Sequence, residues 1–418
     1  MFYVFALVVA ALLGANFLGF ISMDILLFFL FLISIALFIY MKRGSVKREG
    51  IVIIHRTRKG IGVIDGIARK HPRFWNRLAL LGVFVATAAM ILGSLMLMEQ
   101  AFRIYTGATK TPGVGLLLPG PASTPVTLPG LFIIPWWIWV IGVAVVMFPH
   151  ETAHGIVCRL DKIRIKSVGW LFLLFLPGAF VEPDEKQLQR AKRSTKLKVY
   201  AAGSFANFVV GFIILVLLSA WLSFAFTQNG VAFFVLNNTP AYNANMSGNI
   251  VEIDGKKIVT HEDIAGLLGE KKPGDVISVK TLSNKDFAPA AKLSPSLSSV
   301  FGGGGFVVQG DKEKIYTITL AEHPQQEGKA MLGIANPVPA GSFTGPLWLY
   351  LILFWAFLFS VAIGIVNLLP IKPLDGGLLF EELTGALTKN NAFIVKLVTM
   401  FMVFLLIFNF IGPAIVGG

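Results

Sequence analysis

Seven stretches of this 418-residue chain are each apolar over roughly the 20 residues that a helix needs to cross a bilayer: 1–22, 24–41, 78–98, 133–157, 199–226, 347–369 and 393–411. Backbone in lipid must satisfy its own hydrogen bonds, so runs of this length predict helices. Composition agrees. Hydrophobic residues make up 55% and charged residues 14%, against about 25% charged in soluble domains. A cytosolic enzyme, a disordered chain and a fibrous repeat are excluded. One cysteine excludes a disulfide framework and a Cys-rich metal site. Residues 1–22 lack the basic leading region of a signal peptide, so this run is expected to be retained. It lies so close to 24–41 that the two form a tight hairpin or one inserts only in part, giving six or seven spans.

The net charge of +13 is not spread evenly. Residues 42–77 carry 11 basic and two acidic side chains, and residues 159–198 carry 10 and four. Residues 227–345 are near neutral, with 10 basic and 11 acidic. Basic loops stay on the cytosolic side, which places 42–77, 159–198 and 370–392 inside, and 99–132, 227–345 and the C-terminus outside. Because the basic clusters abut apolar runs, the expected partner is the lipid bilayer and not nucleic acid.

Two basic-side stretches are not plain loops. Residues 50–65, GIVIIHRTRKGIGVID, read as two β-rich runs around Lys59-Gly60 and predict a surface hairpin there. Residues 163–182 hold an apolar part, 168–181, too short to span, with Gly, Pro and strand character. They predict a re-entrant β-like membrane segment, shielded by protein or lining a wet cavity. The outer segment 230–336 reads as an α+β domain, with β-like runs at 231–236, 250–253, 276–281 and 315–320 around a helix at 262–268. Its Thr239-Pro240-Ala241, Ile253-Asp254-Gly255-Lys256, His261-Glu262-Asp263 and Lys272-Pro273-Gly274-Asp275 motifs follow an order that resembles a PDZ domain. A bland spacer that only excludes bulky substrates is the competing reading. The Ser-, Ala- and Gly-rich 286–311 departs from the pattern and reads as an insertion. His261 and His323 have no evident metal partner. The chain divides into 1–132, an N-terminal transmembrane region with a basic loop; 133–229, core helices; 230–336, the outer domain; and 337–418, C-terminal helices.

Two of six histidines stand in His150-Glu151-Thr152-Ala153-His154. Spacing i, i+4 puts both rings on one helix face, with a glutamate placed to act on a metal-bound water. Ionisable side chains at the end of an apolar helix are costly in lipid and point to function. A zinc hydrolase needs three protein ligands and an open position. Asp375, in the run from Asn367 to Gly377 that reads NLLPIKPLDGG, is the best third candidate: alternating topology brings it to the same membrane end as His150, about 13 Å below Arg159 at 1.5 Å per residue. Rival third ligands are Cys158, one turn beyond His154, and Glu381 or Glu382.

HETAHG, the AGSFAN run at 202–207, GAFVEPDE at 178–185 and NLLPIKPLDGG together resemble the site-2 protease family of intramembrane zinc metalloproteases, over about residues 133–385. The first 98 residues lie outside the resemblance, as a subgroup addition of archaeal kind. Ser204 stands where the family often has Pro. The resemblance implies a polytopic α-helical membrane protein with an inserted PDZ-like domain, zinc held by His150, His154 and Asp375, and Glu151 as catalytic glutamate. Asn207 and Asn367 match motif asparagines near the active site, with expected roles in substrate positioning. Residues Gly178, Ala179, Phe180 and Val181 are expected to hold an opened substrate strand by edge addition. Transmembrane proteins are the implied substrates. A catalytically dead binding protein and a transporter are the rivals, opposed by the intact HExxH and by the absence of visible repeats.

Overall fold

The structure is a computed structural model that describes residues 2–42, 44–121, 130–284, 306–388 and 390–416. In chain order it holds α1 (Phe2–Phe17), α2 (Met23–Met41), β1 (Val46–Glu49), β2 (Val52–Thr57), α3 (Ile61–Lys70), α4 (Pro72–Tyr105), β3 (Leu116–Gly120), β4 (Leu131–Pro135), α5 (Trp136–Leu160), β5 (Ile165–Leu173), β6 (Leu176–Pro183), α6 (Glu185–Arg190) and α7 (Arg193–Ala225). There follow β7 (Phe226–Val235), α8 (Pro240–Asn243), β8 (Asn249–Ile253), β9 (Lys256–Lys257), α9 (His261–Gly269), β10 (Val276–Asn284), β11 (Val307–Thr319), β12 (Ala321–His323), β13 (Gln326–Met331) and β14 (Ile334–Phe343). The chain ends with α10 (Leu347–Leu368), α11 (Asp375–Thr384) and α12 (Asn391–Val416). Two compact units emerge, Met1–Leu217 with Leu351–Gly418, and Leu218–Tyr350.

In the first unit, α2, α4, α5, α7, α10 and α12 are long and apolar enough to cross a membrane. The run expected at 1–22 gives only the 16-residue α1. The helices turn large apolar side chains outward: Phe84, Phe212 and Phe404 are all well over half exposed. Small and polar residues point inward, because close backbone approach is how helices associate where lipid is as apolar as leucine. A Cβ on Gly142 of α5 would meet the ring of Phe359 on α10, and one on Gly364 of α10 would meet Phe208 of α7. Ala86 and Met90 of α4, Ala201 of α7, Leu368 of α10 and Leu379 of α11 share one apolar cluster.

The basic-side stretches form one antiparallel sheet in the order β1-β2-β5-β6. The 163–182 segment is therefore a β-hairpin, with Leu173 paired to Leu176 and Val168 to Val181. The hairpin expected around Lys59-Gly60 lies earlier. Glu49 pairs with Val52 across Gly50-Ile51, and Gly50 takes the positive φ of 63° that the turn requires. Residues 61–70 are helical instead, since Ile61, Ile64 and Ala68, at helical spacing, pack against Ile156 of α5.

The second unit is α+β. Its sheet runs β10-β11-β14-β7-β8-β9, and β10 also pairs with β8, so the sheet curls back on itself. Val231, Ile250, Ile253, Ile258, Ile277, Val279 and Ile318 form its core. The sequence motifs sit at its corners. Asp254 and Gly255 both have positive φ, 50° and 79°, the turn that matches strand twist in a two-residue hairpin. Asp263 closes a capping box on Thr260 at the start of α9. The insertion read at 286–311 falls outside the described residues up to position 305.

Candidate metal centre and its surroundings

His150 and His154 lie one above the other on the inner face of α5, and His150 is only 5% exposed. Asp375 reaches them from the first position of α11. What brings it there is the Gly-Gly that follows. A Cβ on Gly376 would strike the backbone of Leu368 and Leu369, and one on Gly377 the backbone of Ile371 and Lys372. Only glycines let α11 fold back this tightly over the end of α10.

Three ligand atoms converge. His150 Nε2 and His154 Nε2 are 3.3 Å apart, and Asp375 Oδ2 is 3.4 Å from the first and 3.1 Å from the second. Oδ2 is nevertheless buried without a hydrogen-bond partner. Tetrahedral zinc with bonds of about 2.0–2.1 Å separates its ligand atoms by roughly 3.3–3.4 Å. The spacing fits such an ion, and the orphaned oxygen has no other use for its lone pairs. Among the described residues these three form the group able to hold a metal ion.

The other ring nitrogens are tied down. His154 Nδ1 is 2.8 Å from the carbonyl of Val199 on α7. A carbonyl only accepts, so Nδ1 carries the proton and Nε2 keeps its lone pair. His150 Nδ1 faces the Asn207 amide, with Nδ2 at 3.0 Å, while Asn207 Oδ1 is buried and unpartnered. A half-turn of that amide lets Oδ1 accept from Nδ1–H and frees the His150 Nε2 lone pair, as Val199 does for its neighbour. Gly203, one turn before Asn207, completes the cradle: a Cβ there would run into both imidazoles at their Nε2 atoms. Sequence reading passed over Gly203 and Val199. The four-residue step from Gly203 to Asn207 on one helix was the available signal.

Glu151 accepts a 2.9 Å hydrogen bond from the Val181 N–H on β6. β6 is an edge strand, and the side of Val181 away from β5 is the side facing Glu151. Alternation turns the backbone groups of Ala179 the same way, while Gly178 and Phe180 face β5. Asn367, near the end of α10, is half-buried and has no hydrogen-bond partner among the described residues. The rival ligands are engaged elsewhere. Glu381 pairs with Lys372 at 2.7 Å and Glu382 with Lys196 at 2.9 Å. Cys158 is fully buried among Ala79, Val157, Ile163 and Val199.

Comparison with known proteins converges on the same residues. A sequence profile of peptidase family M50, the site-2 protease family, matches residues 138–409, well over half of the chain and including every residue of this centre. An uncharacterized protein of Methanocaldococcus jannaschii is 26% identical over 87% of this chain and 87% of its own length. A Clostridium perfringens protein, provisionally named a zinc metalloprotease, is 27% identical over 58% of this chain and 85% of its own. The PDZ domain of an SdrC-like protein from Listeria monocytogenes aligns with 26% of this chain and 88% of its own, at 21% identity and a TM-score of 0.18. Six membrane-length helices, an HExxH pair on one and an aspartate from the LDGG turn just past the end of another are thus explained together: the chain belongs to peptidase family M50.

Proposed function

We propose that this chain is an intramembrane zinc endopeptidase that hydrolyses peptide bonds within or next to transmembrane segments of membrane proteins, in regulated intramembrane proteolysis. The observation that carries the reading is the convergence of His150, His154 and Asp375 beside Glu151. Zinc, when bound, would polarise the scissile carbonyl and acidify a water. Glu151 takes that water's proton and returns it to the leaving amine. A helical peptide bond is shielded by its own hydrogen bonds, so the substrate must open locally. The outer edge of β6 at Ala179 and Val181 receives the opened strand, with Val181 giving up its N–H contact to Glu151 as the substrate enters, and with Gly178 and Phe180 holding β6 to β5. Asn367, eight residues before Asp375, takes up a freed substrate backbone group. Asn207 acts on substrate only through His150.

The basic 42–77 and 159–198 loops support a cell-membrane topology with the centre toward the cytosolic face and residues 227–345 extracytosolic. The α+β unit there binds an extended peptide or screens substrates by size.

The test is cleavage of a single-pass membrane substrate by purified protein in detergent. Glu151→Gln should lower the rate by about 10²–10⁴-fold with zinc retained, and a chelator should abolish it. Full activity in Glu151→Gln would sink the reading. Stoichiometric zinc without cleavage across a substrate panel would favour a binding protein.

A further inference from the structure

On the unit that carries the metal centre there is also a cleft with none of the metal-centre residues in its lining. This cleft, of about 560 Å³, is walled by α3, the start of α4 and the end of α5, and is lined by Asp65, Ala68, Arg69, Pro72, Arg159, Leu160 and Lys162. Three cations face one carboxylate there. Asp65 is consumed by Arg159, which it holds through two contacts of 2.5 and 3.1 Å. That pair fixes the guanidinium in the wall while leaving N–H groups of its Nη1 and Nη2 ends unspent. Arg69 and Lys162 are exposed and have no acidic partner among the described residues. Asp161, beside Lys162 in sequence, is already paired with Lys198 at 2.7 Å.

The surroundings narrow the ligand. Pro72 and Leu160 are the first and last residues of two helices long and apolar enough to span a membrane. The cleft therefore sits at the shared end of two candidate spans, a few residues beyond the apolar runs 78–98 and 133–157, which is headgroup depth. Pro72 also opens a 34-residue helix whose start has no side-chain cap, which adds the positive end of a helix dipole to the wall. Two of the three helices around the cleft expose apolar side chains as well, Val63 of α3 at 66% and Phe74 of α4 at 57%, surface that acyl chains would cover. Positive charge in a pocket at the bilayer boundary, with apolar residues on the same helices, is the chemistry of an anionic phospholipid headgroup.

We propose that this cleft binds the phosphate of an anionic phospholipid, with Arg69 and Lys162 as the mobile cations and Arg159 as the fixed one. The site does not depend on the peptidase reading.

The experiment is native mass spectrometry of the full chain in neutral detergent, titrated with phosphatidylglycerol, with phosphatidylcholine of the same acyl chains, or with inorganic phosphate. The wild type should prefer phosphatidylglycerol. The double variant Arg69→Gln/Lys162→Gln should lose that preference by roughly 20-fold, about fivefold per charge. Binding of phosphatidylcholine should not change, and the charge-keeping Arg69→Lys/Lys162→Arg should restore the preference. Arg159 is left intact because its pair with Asp65 joins α3 to α5. In the wild type alone, raising salt from about 0.05 to 0.5 M should erase the preference, a readout that needs no variant. Phosphatidylglycerol affinity equal in wild type and double variant overturns the proposal. Binding of inorganic phosphate that depends on Arg69 and Lys162, without a preference for phosphatidylglycerol, overturns the lipid and leaves a soluble phosphate as ligand.

Discussion

The two units bury polar groups to opposite ends. In the second, α+β unit many polar residues finish local structure. Asp263 caps α9, Thr239 bonds the carbonyl of Leu236, and the interior is branched aliphatic. In the helical unit the polar groups sit inside while Phe and Leu face outward, and several of them, His150, His154, Asn207 and Asp375, meet at one point. Burying a polar group costs free energy unless it finds a partner. The second unit meets that cost mainly with backbone carbonyls and N–H groups, some a few residues away and some brought by the sheet, as where Asn249 Nδ2 reaches the carbonyls of Leu282 and Ser283. The helical unit brings partners from three helices far apart in sequence and still leaves Asp375 Oδ2, beside both imidazoles, without a hydrogen bond. An unsatisfied carboxylate oxygen held within 3.4 Å of two imidazole nitrogens marks a binding centre, whereas isolated ones such as Asn229 Oδ1 and Asn249 Oδ1 of the second unit do not.

The comparison breaks most sharply at the ligands. Asp375→Ala removes one of three donors and should release zinc. Gly203→Ala should do nearly the same by pushing a methyl between the imidazoles. Neither should alter unfolding of the PDZ-like unit. Atomic absorption on the purified variants checks both, and full zinc occupancy in Asp375→Ala would refute the ligand set. Next in size is Ile253→Ala in the core of the second unit, 1% exposed. It should destabilise that unit by about 2–5 kcal/mol and leave zinc content untouched, as calorimetry with metal analysis would show.

A smaller effect sharpens the contrast. Asn207→Ala should weaken zinc binding by roughly 10–100-fold with little change in KM, because Asn207 acts on His150 and not on substrate. Asn367→Ala should show the reverse, a raised KM with zinc affinity intact. Competition against a chromophoric chelator gives the first quantity and cleavage kinetics the second. The smallest effect is electrostatic. The Lys271 ammonium, 2.7 Å from Asp254, and the Ser278 N–H hold the Asp254 carboxyl below its ordinary range. A depressed folded-state pKa adds stability above the ordinary aspartate pKa of about 3.9, and that stability is lost as pH falls through the lower folded value. Asp254→Asn keeps a residue suited to the positive-φ turn and removes the charge. It should lower the Tm of the unit by only about 2–5 °C at neutral pH, with the difference vanishing in acid.

Legibility followed the range of the interaction. The HExxH pair was readable because i, i+4 spacing is a property of one helix. The Asp254-Gly255 turn and the helix start at His261-Glu262-Asp263 were readable because their hydrogen bonds close within a few residues, although the Thr260 cap itself was not singled out. Asp375 was reachable by counting spans, since alternating topology fixes which ends share a membrane side. The Lys59-Gly60 hairpin was misplaced because Ile and Val there suit strand and helix alike, and contact with Ile156 decided for helix.

By itself, the amino-acid sequence determined that this chain spans a membrane with helices, inserts one α+β unit and carries a metal-binding pair with a neighbouring glutamate, because hydropathy and helical spacing are local quantities. Only the tertiary structure decided that Gly203 must lack a side chain, that Val199 and Asn207 hold the imidazoles from behind, that Glu151 rests on the open edge of β6 and that Arg69, Arg159 and Lys162 share a cleft. Each of these is a close approach between segments separated by many residues, and such distances are set by how helices pack and not by any one helix's own pattern.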